Sequence, residues 1–154
     1  MFNRTITIIQ DNIKKNLALK NTFKTFLNFH QFFDYNTFID KITLRYTSPK
    51  YFKSPGVLKP LEAHRDTWGS NILEQINWWI PLFDIHDQNS LYILEDKFKK
   101  KINNNSDTWD FKKYKNNSIN ILSSPVSKKK FNVKSEYIIR IKRGDMVCFS
   151  GHHL

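Results

Sequence analysis

Hydrophobic periodicity changes character once along this chain, and that change restricts the available folds more than any other feature. From Asp11 to about Asp40, apolar residues recur at helical spacing: Ile13, Leu17, Leu19, Phe23, Phe26, Leu27, Phe29, Phe32 and Phe33. The spacing predicts one or two amphipathic helices with a face that packs on a sheet. Beyond Lys41 the reading becomes strand after strand: Ile42 to Tyr46, Leu73 to Ile80, Ser90 to Leu94, Tyr137 to Ile141 and Met146 to Ser150. Turn signals lie at Ser48-Pro49, Ser54-Pro55-Gly56, Asp84 to Asn89 and Lys142-Arg143-Gly144-Asp145. Thr5 to Ile9 has the β-branched density of a further strand. Tyr46 to Pro60 reads as an irregular approach, Lys97 to Asn120 as a loop with one helical turn, and Pro125 to Lys130 as a loop. A helical layer followed by many short strands predicts a mainly β, α+β fold, a sandwich or barrel of the jelly-roll kind with amino-terminal helices packed on one sheet. Residues 1–41 form the strand and helical layer and residues 42–154 the β part of one domain, with no repeat and no linker.

Composition narrows the class. The 154 residues are 40% apolar and 15% aromatic, enough to build one core. No charge-free apolar run approaches the length of a membrane span, and Arg4, Asp11, Lys14 and Lys15 interrupt the amino-terminal segment, which argues against a signal peptide. With Cys148 as the single cysteine, the expectation is a cytoplasmic protein without a membrane partner. The net charge of +11 is mostly lysine. Its only runs, Lys99 to Lys101 and Lys128 to Lys130, fall in predicted loops, and asparagine, isoleucine and phenylalanine share its AT-rich codons. The basicity therefore reads as solvated charge rather than a nucleic-acid patch, whose sign would be salt-dependent binding. His30 sits within the phenylalanine stripe without a carboxylate at ligand spacing and reads as structural.

The residues that carry chemistry lie in His64-Arg65-Asp66-Thr67-Trp68. In an extended segment His64 and Asp66 project from one face and Arg65 from the other, outward. A histidine and a carboxylate that share a face, completed by a distant histidine, make the facial triad that holds non-haem iron(II) with open positions. In the strand that follows, Gln75, Asn77 and Trp79 share one face, while Glu74, Ile76, Trp78 and Ile80 share the other, more apolar one. Two amides and an indole make a hydrogen-bonding wall for an acidic or hydroxylated small molecule, or else the wet face of an edge strand. The chain closes on a Gly144-Asp145 turn, an apolar strand and Gly151-His152-His153-Leu154.

Taken in order, HRDTWGSN, QINWWIPL and RGDMVCFSGHHL make the sequence from about Leu44 onward resemble the iron(II) and 2-oxoglutarate dependent oxygenases, within the phytanoyl-CoA dioxygenase-like branch. The resemblance implies a double-stranded β-helix, cupin-like, with His64 and Asp66 as the first two ligands of Fe(II). It also implies that Thr67, Gln75, Asn77 and Trp79 surround the metal and the cosubstrate 2-oxoglutarate, with Tyr92 on the substrate side. The third ligand of the family would follow Leu154 directly, and the arginine that forks onto the distal carboxylate of 2-oxoglutarate would lie about ten positions further. The expectation is a carboxy-terminally truncated copy that lacks its last two strands and is impaired as a catalyst, with His153 as the alternative third ligand. The implied reaction is decarboxylation of 2-oxoglutarate coupled to hydroxylation of a small organic substrate. The alternative is a non-catalytic, cupin-like metal or small-molecule binding module.

Overall fold

The computed structural model describes residues 2–32, 36–45, 62–87, 90–116, 122–132 and 134–154. The turns expected at Ser48-Pro49 and Ser54-Pro55-Gly56, and the approach up to Pro60, lie outside the described residues. The chain divides into two compact units, residues 1–46 and 47–154.

The first unit carries two helices, α1 (Phe2–Lys15) and α2 (Leu17–Phe29). The strand expected at Thr5 to Ile9 is instead the interior of α1. Ile6, Ile9 and Ile13 stand three and four positions apart, so the helical repeat gathers them on one face and overrides the local preference of β-branched residues for extended backbone. Lys14 and Lys15 occupy the last turn, where their charge complements the helix dipole. Asn16 separates the helices: its side-chain oxygen accepts from the Leu19 backbone N–H at 2.9 Å and caps α2. The helix ends through Gln31 at φ 60°, with the Phe32 N–H bonded to the Leu27 carbonyl at 2.9 Å. Leu27 is the buried residue of α2, and the His30 ring packs on Phe26 and Phe29 with centroids 4.6 and 5.0 Å away, a structural placement in the aromatic stripe. Residues 37–45 form neither helix nor strand, so the strand expected from Ile42 is absent at its described positions; Gln10 Nε2 donates to the Leu44 carbonyl at 2.8 Å.

In the second unit, a short helix α3 (Thr67–Ser70) precedes β1 (Ile76–Trp79), α4 (Phe111–Asn116) lies in the lysine- and asparagine-rich stretch, and β2 (Val147–Ser150) comes last. β1 and β2 pair antiparallel, with Ile76 opposite Ser150, Asn77 opposite Phe149, Trp78 opposite Cys148 and Trp79 opposite Val147. The segments expected as strands around Tyr92 and Ile138 meet in a single antiparallel bridge between those two residues, extended by Ile93 N–H to the Tyr137 carbonyl and Ile139 N–H to the Leu91 carbonyl. The Lys142 to Asp145 turn forms as read: Asp145 N–H reaches the Lys142 carbonyl at 3.0 Å, the Asp145 carboxylate accepts from Lys142 N–H at 2.7 Å, and Gly144 takes φ +93°.

The core of this unit gathers Ala63, Leu94 and Leu154, with Trp68, Tyr92, Ile102, Phe131 and Tyr137 packed around them. Leu94 N–H donates to the Leu154 carbonyl at 2.8 Å, so the last residue is tied to the centre. Ser124 to Ser127, read as the start of a solvated loop, is buried. Its backbone is satisfied from afar: Ser127 N–H donates to the Ala63 carbonyl at 2.8 Å and Val126 N–H to Asn105 Oδ1 at 2.7 Å. Among the described residues, no helix is long and apolar enough to cross a membrane.

Candidate functional site

Gly151 joins the pieces of the site. Its N–H donates to the Gln75 carbonyl at 2.8 Å and its carbonyl accepts from Thr67 N–H at 3.2 Å, so one residue ties the end of β2 to both the approach to β1 and the start of α3. A Cβ on Gly151 would stand 3.2 Å from Gln75 Cβ and 3.3 Å from Thr67 Cγ2, closer than ordinary van der Waals contact. A larger residue would require Gln75 or Thr67 to shift by a few tenths of an ångström.

That junction carries a continuous polar chain. Gln75 Nε2 donates to Asn77 Oδ1 at 2.8 Å, and Asn77 Nδ2 donates to Asp66 Oδ2 at 2.6 Å. The other carboxylate oxygen, Asp66 Oδ1, stands 3.4 Å from His64 Nε2. At the far end, His64 Nδ1 lies 2.8 Å from the Glu62 carbonyl oxygen. A carbonyl only accepts, so Nδ1 carries the proton, and in the neutral ring Nε2 presents a lone pair toward Asp66. Two lone-pair atoms facing each other at this distance call for a cation or an added proton between them. Adjacent ligands of an ion with bonds of about 2.1 Å stand about 3.0 Å apart, close to the observed spacing. The ring is thus oriented by a backbone carbonyl and the carboxylate by an amide, the arrangement that fixes tautomer and direction in metal ligands. Asp66 opens α3, accepting from Gly69 and Ser70 N–H through its backbone carbonyl, yet its side chain makes no capping bond and stays with His64 and Asn77.

The structure brings His64, Asp66, Asn77 and Gln75 together and places the other candidates elsewhere. Thr67 is buried, with its methyl against Gly151. Trp79 is half-buried in β1 opposite Val147. The outward face of β1 is the apolar one: Ile76 is 58% and Ile80 43% exposed, while Asn77 is half-buried against Asp66. Tyr92 packs on the Ala63, Leu94 and Leu154 cluster, where burial, and secondarily the Glu62 carboxylate, push its phenol above the usual value. His153 does not join His64 and Asp66. The expectation that it would face them assumed an extended segment, but Gly151 and His152 form a turn in which His153 N–H donates to the Ser150 carbonyl at 3.1 Å. Its ring lies by that same carbonyl and 4.6 Å from the Phe98 ring centroid. Among the described residues, no three histidine, cysteine, aspartate or glutamate side chains gather to hold a metal ion.

Arg65 departs most from its sequence reading. It is half-buried, and its Nη2 donates to the carbonyls of Lys97, Phe98 and Lys100, the last two at 3.1 and 2.9 Å. Lys97 is the last residue of the single-turn helix Glu95–Lys97, Phe98 is its cap, and Lys100 lies two positions further. The guanidinium lies 5.8 Å from the Trp68 ring centroid, and burial lowers its pKa. Sequence spacing correctly turns Arg65 away from His64 and Asp66, but that opposite side is lined by protein. Gly151 enters the sequence reading only as the glycine that ends the closing strand motif, and the Glu62 carbonyl is a backbone atom that no side-chain pattern reveals.

A pocket of about 260 Å³ lies apart from this chain, lined by Leu94, Asp96, Lys97, Phe131, Lys134 and Tyr137 among others. No protein-family model, curated protein or solved structure matches the chain.

Proposed function

We propose that His64 and Asp66 hold a divalent metal, Fe(II) by the resemblance of the surrounding motifs, in a protein of the iron(II) and 2-oxoglutarate dependent oxygenase kind built on a jelly-roll fold. The observation that carries this reading is His64 Nε2 facing Asp66 Oδ1 at 3.4 Å, with Nδ1 committed to the Glu62 carbonyl. Iron(II) bound there supplies, with 2-oxoglutarate and dioxygen, the oxidising power for hydroxylating a small organic substrate. The chain's own residues orient and hold. Glu62 fixes the imidazole tautomer, Asn77 holds the second carboxylate oxygen, and Gln75 holds Asn77. Trp79, on the same strand, belongs in this reading to the wall around the cosubstrate. A small-molecule substrate and a reducing, cytoplasmic setting complete the proposal.

The absence of a third acidic, histidine or cysteine ligand among the described residues favours a second reading, a metal or small-molecule binding module that does not turn over. Calorimetric titration with Mn(II), followed by 2-oxoglutarate consumption with Fe(II), separates the two for wild type, His64→Ala and Asp66→Ala. Metal binding lost in both variants supports the site, and consumption by wild type alone supports the oxygenase. Binding without consumption supports the module. Equal metal affinity in all three proteins overturns both.

A further inference from the structure

The geometry points to Arg65 as a positioning residue of the His64–Asp66 pair, a clamp that sets the spacing of the two metal-facing atoms from the reverse side of their backbone. The inference rests on the metal reading proposed above and deepens it.

Arg65 is the one residue between the two candidate ligands, so whatever fixes its backbone fixes theirs. Its Nη2 is shared among three carbonyls that lie 32, 33 and 35 positions away in sequence. Lys97 ends a helical turn, Phe98 caps it and Lys100 lies two positions further, so Arg65 binds the backbone of one short segment; the Lys97 carbonyl also accepts from Lys100 N–H at 3.0 Å. A guanidinium is charged at any working pH and can meet several such acceptors at once. The guanidinium carbon also lies 5.8 Å from the Trp68 ring centroid, within cation–π range, and Trp68 is part of α3, which follows Asp66 directly. Arg65 therefore contacts elements on both sides of the pair without touching either ligand. Its Nε is buried and has no hydrogen-bond partner among the described residues. A buried donor left unbonded costs stability, so the guanidinium is held by its Nη2 contacts and its approach to Trp68 despite that cost. Phe98, whose carbonyl is one of the three acceptors, also packs against the rings of His152 and His153. The same clamp thus reaches the turn that follows β2.

The consequence is that His64 Nε2 and Asp66 Oδ1 owe their separation to a side chain with no metal-binding atom. Loss of groups that orient ligands from behind characteristically weakens metal binding by roughly 10–100-fold. Arg65→Met keeps the length of the side chain and removes every donor. Arg65→Lys keeps a charged donor and loses the planar fork, so its effect is smaller and in the same direction.

The test is Mn(II) affinity by calorimetry in the full chain for wild type, His64→Ala, Arg65→Met, Arg65→Lys and Asn105→Ala, each also unfolded in urea. Asn105→Ala removes the side-chain acceptor of Val126 N–H and serves as a destabilised control away from the pair. The expected result is a Kd raised roughly 10–100-fold in Arg65→Met and several-fold in Arg65→Lys, with Asn105→Ala unchanged despite its lower stability. Should Arg65→Met fail to fold, Arg65→Lys decides: a wild-type Kd there overturns the inference. So does a wild-type Kd in a folded Arg65→Met, or a Kd in Asn105→Ala raised as much as in the arginine variants. Failure of the underlying metal reading looks different, because wild type and His64→Ala then bind alike; that outcome overturns the inference together with the site.

Discussion

Replacing Asn77 with alanine tests the polar chain at its middle link. The substitution removes the 2.6 Å bond from Asn77 Nδ2 to Asp66 Oδ2 and the acceptor for Gln75 Nε2 at 2.8 Å. A hydrogen bond to an ionised group contributes about 1.5–3 kcal/mol and a neutral one about 0.5–1.5 kcal/mol. The Asp66 side chain is 35% exposed, so water replaces part of what the carboxylate loses. The net cost is then about 1–2 kcal/mol. With a urea dependence of about 1–3 kcal/mol per molar, the unfolding midpoint falls by about 0.3–2 M. Stability loss alone would not show that the bond is responsible, so the measurement is a double-mutant cycle with Asp66→Ala. The two changes share one hydrogen bond, and the expected coupling is about 1 kcal/mol. Costs that add to within about 0.3 kcal/mol would mean that Asn77 and Asp66 act independently, and the polar chain would not be a unit.

Three further outcomes follow from the packing. Leu94→Ala, at a side chain 2% exposed beside Ala63 and Leu154, should cost about 2–5 kcal/mol in urea unfolding, a large share of a typical domain's total of about 5–15 kcal/mol. Gly151→Ala should cost about 1–3 kcal/mol, because the new Cβ meets Gln75 and Thr67 at 3.2–3.3 Å; unchanged stability would show that the junction yields freely. Cys148 is exposed, but partial desolvation by its neighbours pushes its thiol above the usual value, so less thiolate is present at a given pH. Iodoacetamide should therefore alkylate it more slowly at mildly alkaline pH than a free cysteine peptide, with the rates converging only as pH rises further; equal rates at every pH would contradict the raised value.

What the residues announced on their own was what short-range geometry decides. His64 and Asp66 are two apart, so their meeting needs no distant partner. Gln75 and Asn77 are likewise two apart and share a face, which their hydrogen bond reflects. The Lys142 to Asp145 turn rests on a bond spanning three residues. The α2 helix and the strand at Val147 to Ser150 follow from apolar spacing. Tertiary structure decided the rest, through contacts that local pattern does not contain. The one local exception is the helix at Ile6, Ile9 and Ile13, whose spacing was in the sequence and outweighs their individual preference for strand. The burial of Ser124 to Ser127 depends on backbone partners at Ala63 and Asn105, far back in the chain. Arg65 turns inward because carbonyls more than thirty positions away accept its protons. His153 turns from the pair because Gly151 and His152 bend the backbone there, and Gly151 itself is where residues 67, 75 and 151 become neighbours. A chain's period is written in every few residues, but whether a polar face meets water or protein depends on what folds back onto it, and only the assembled chain supplies that.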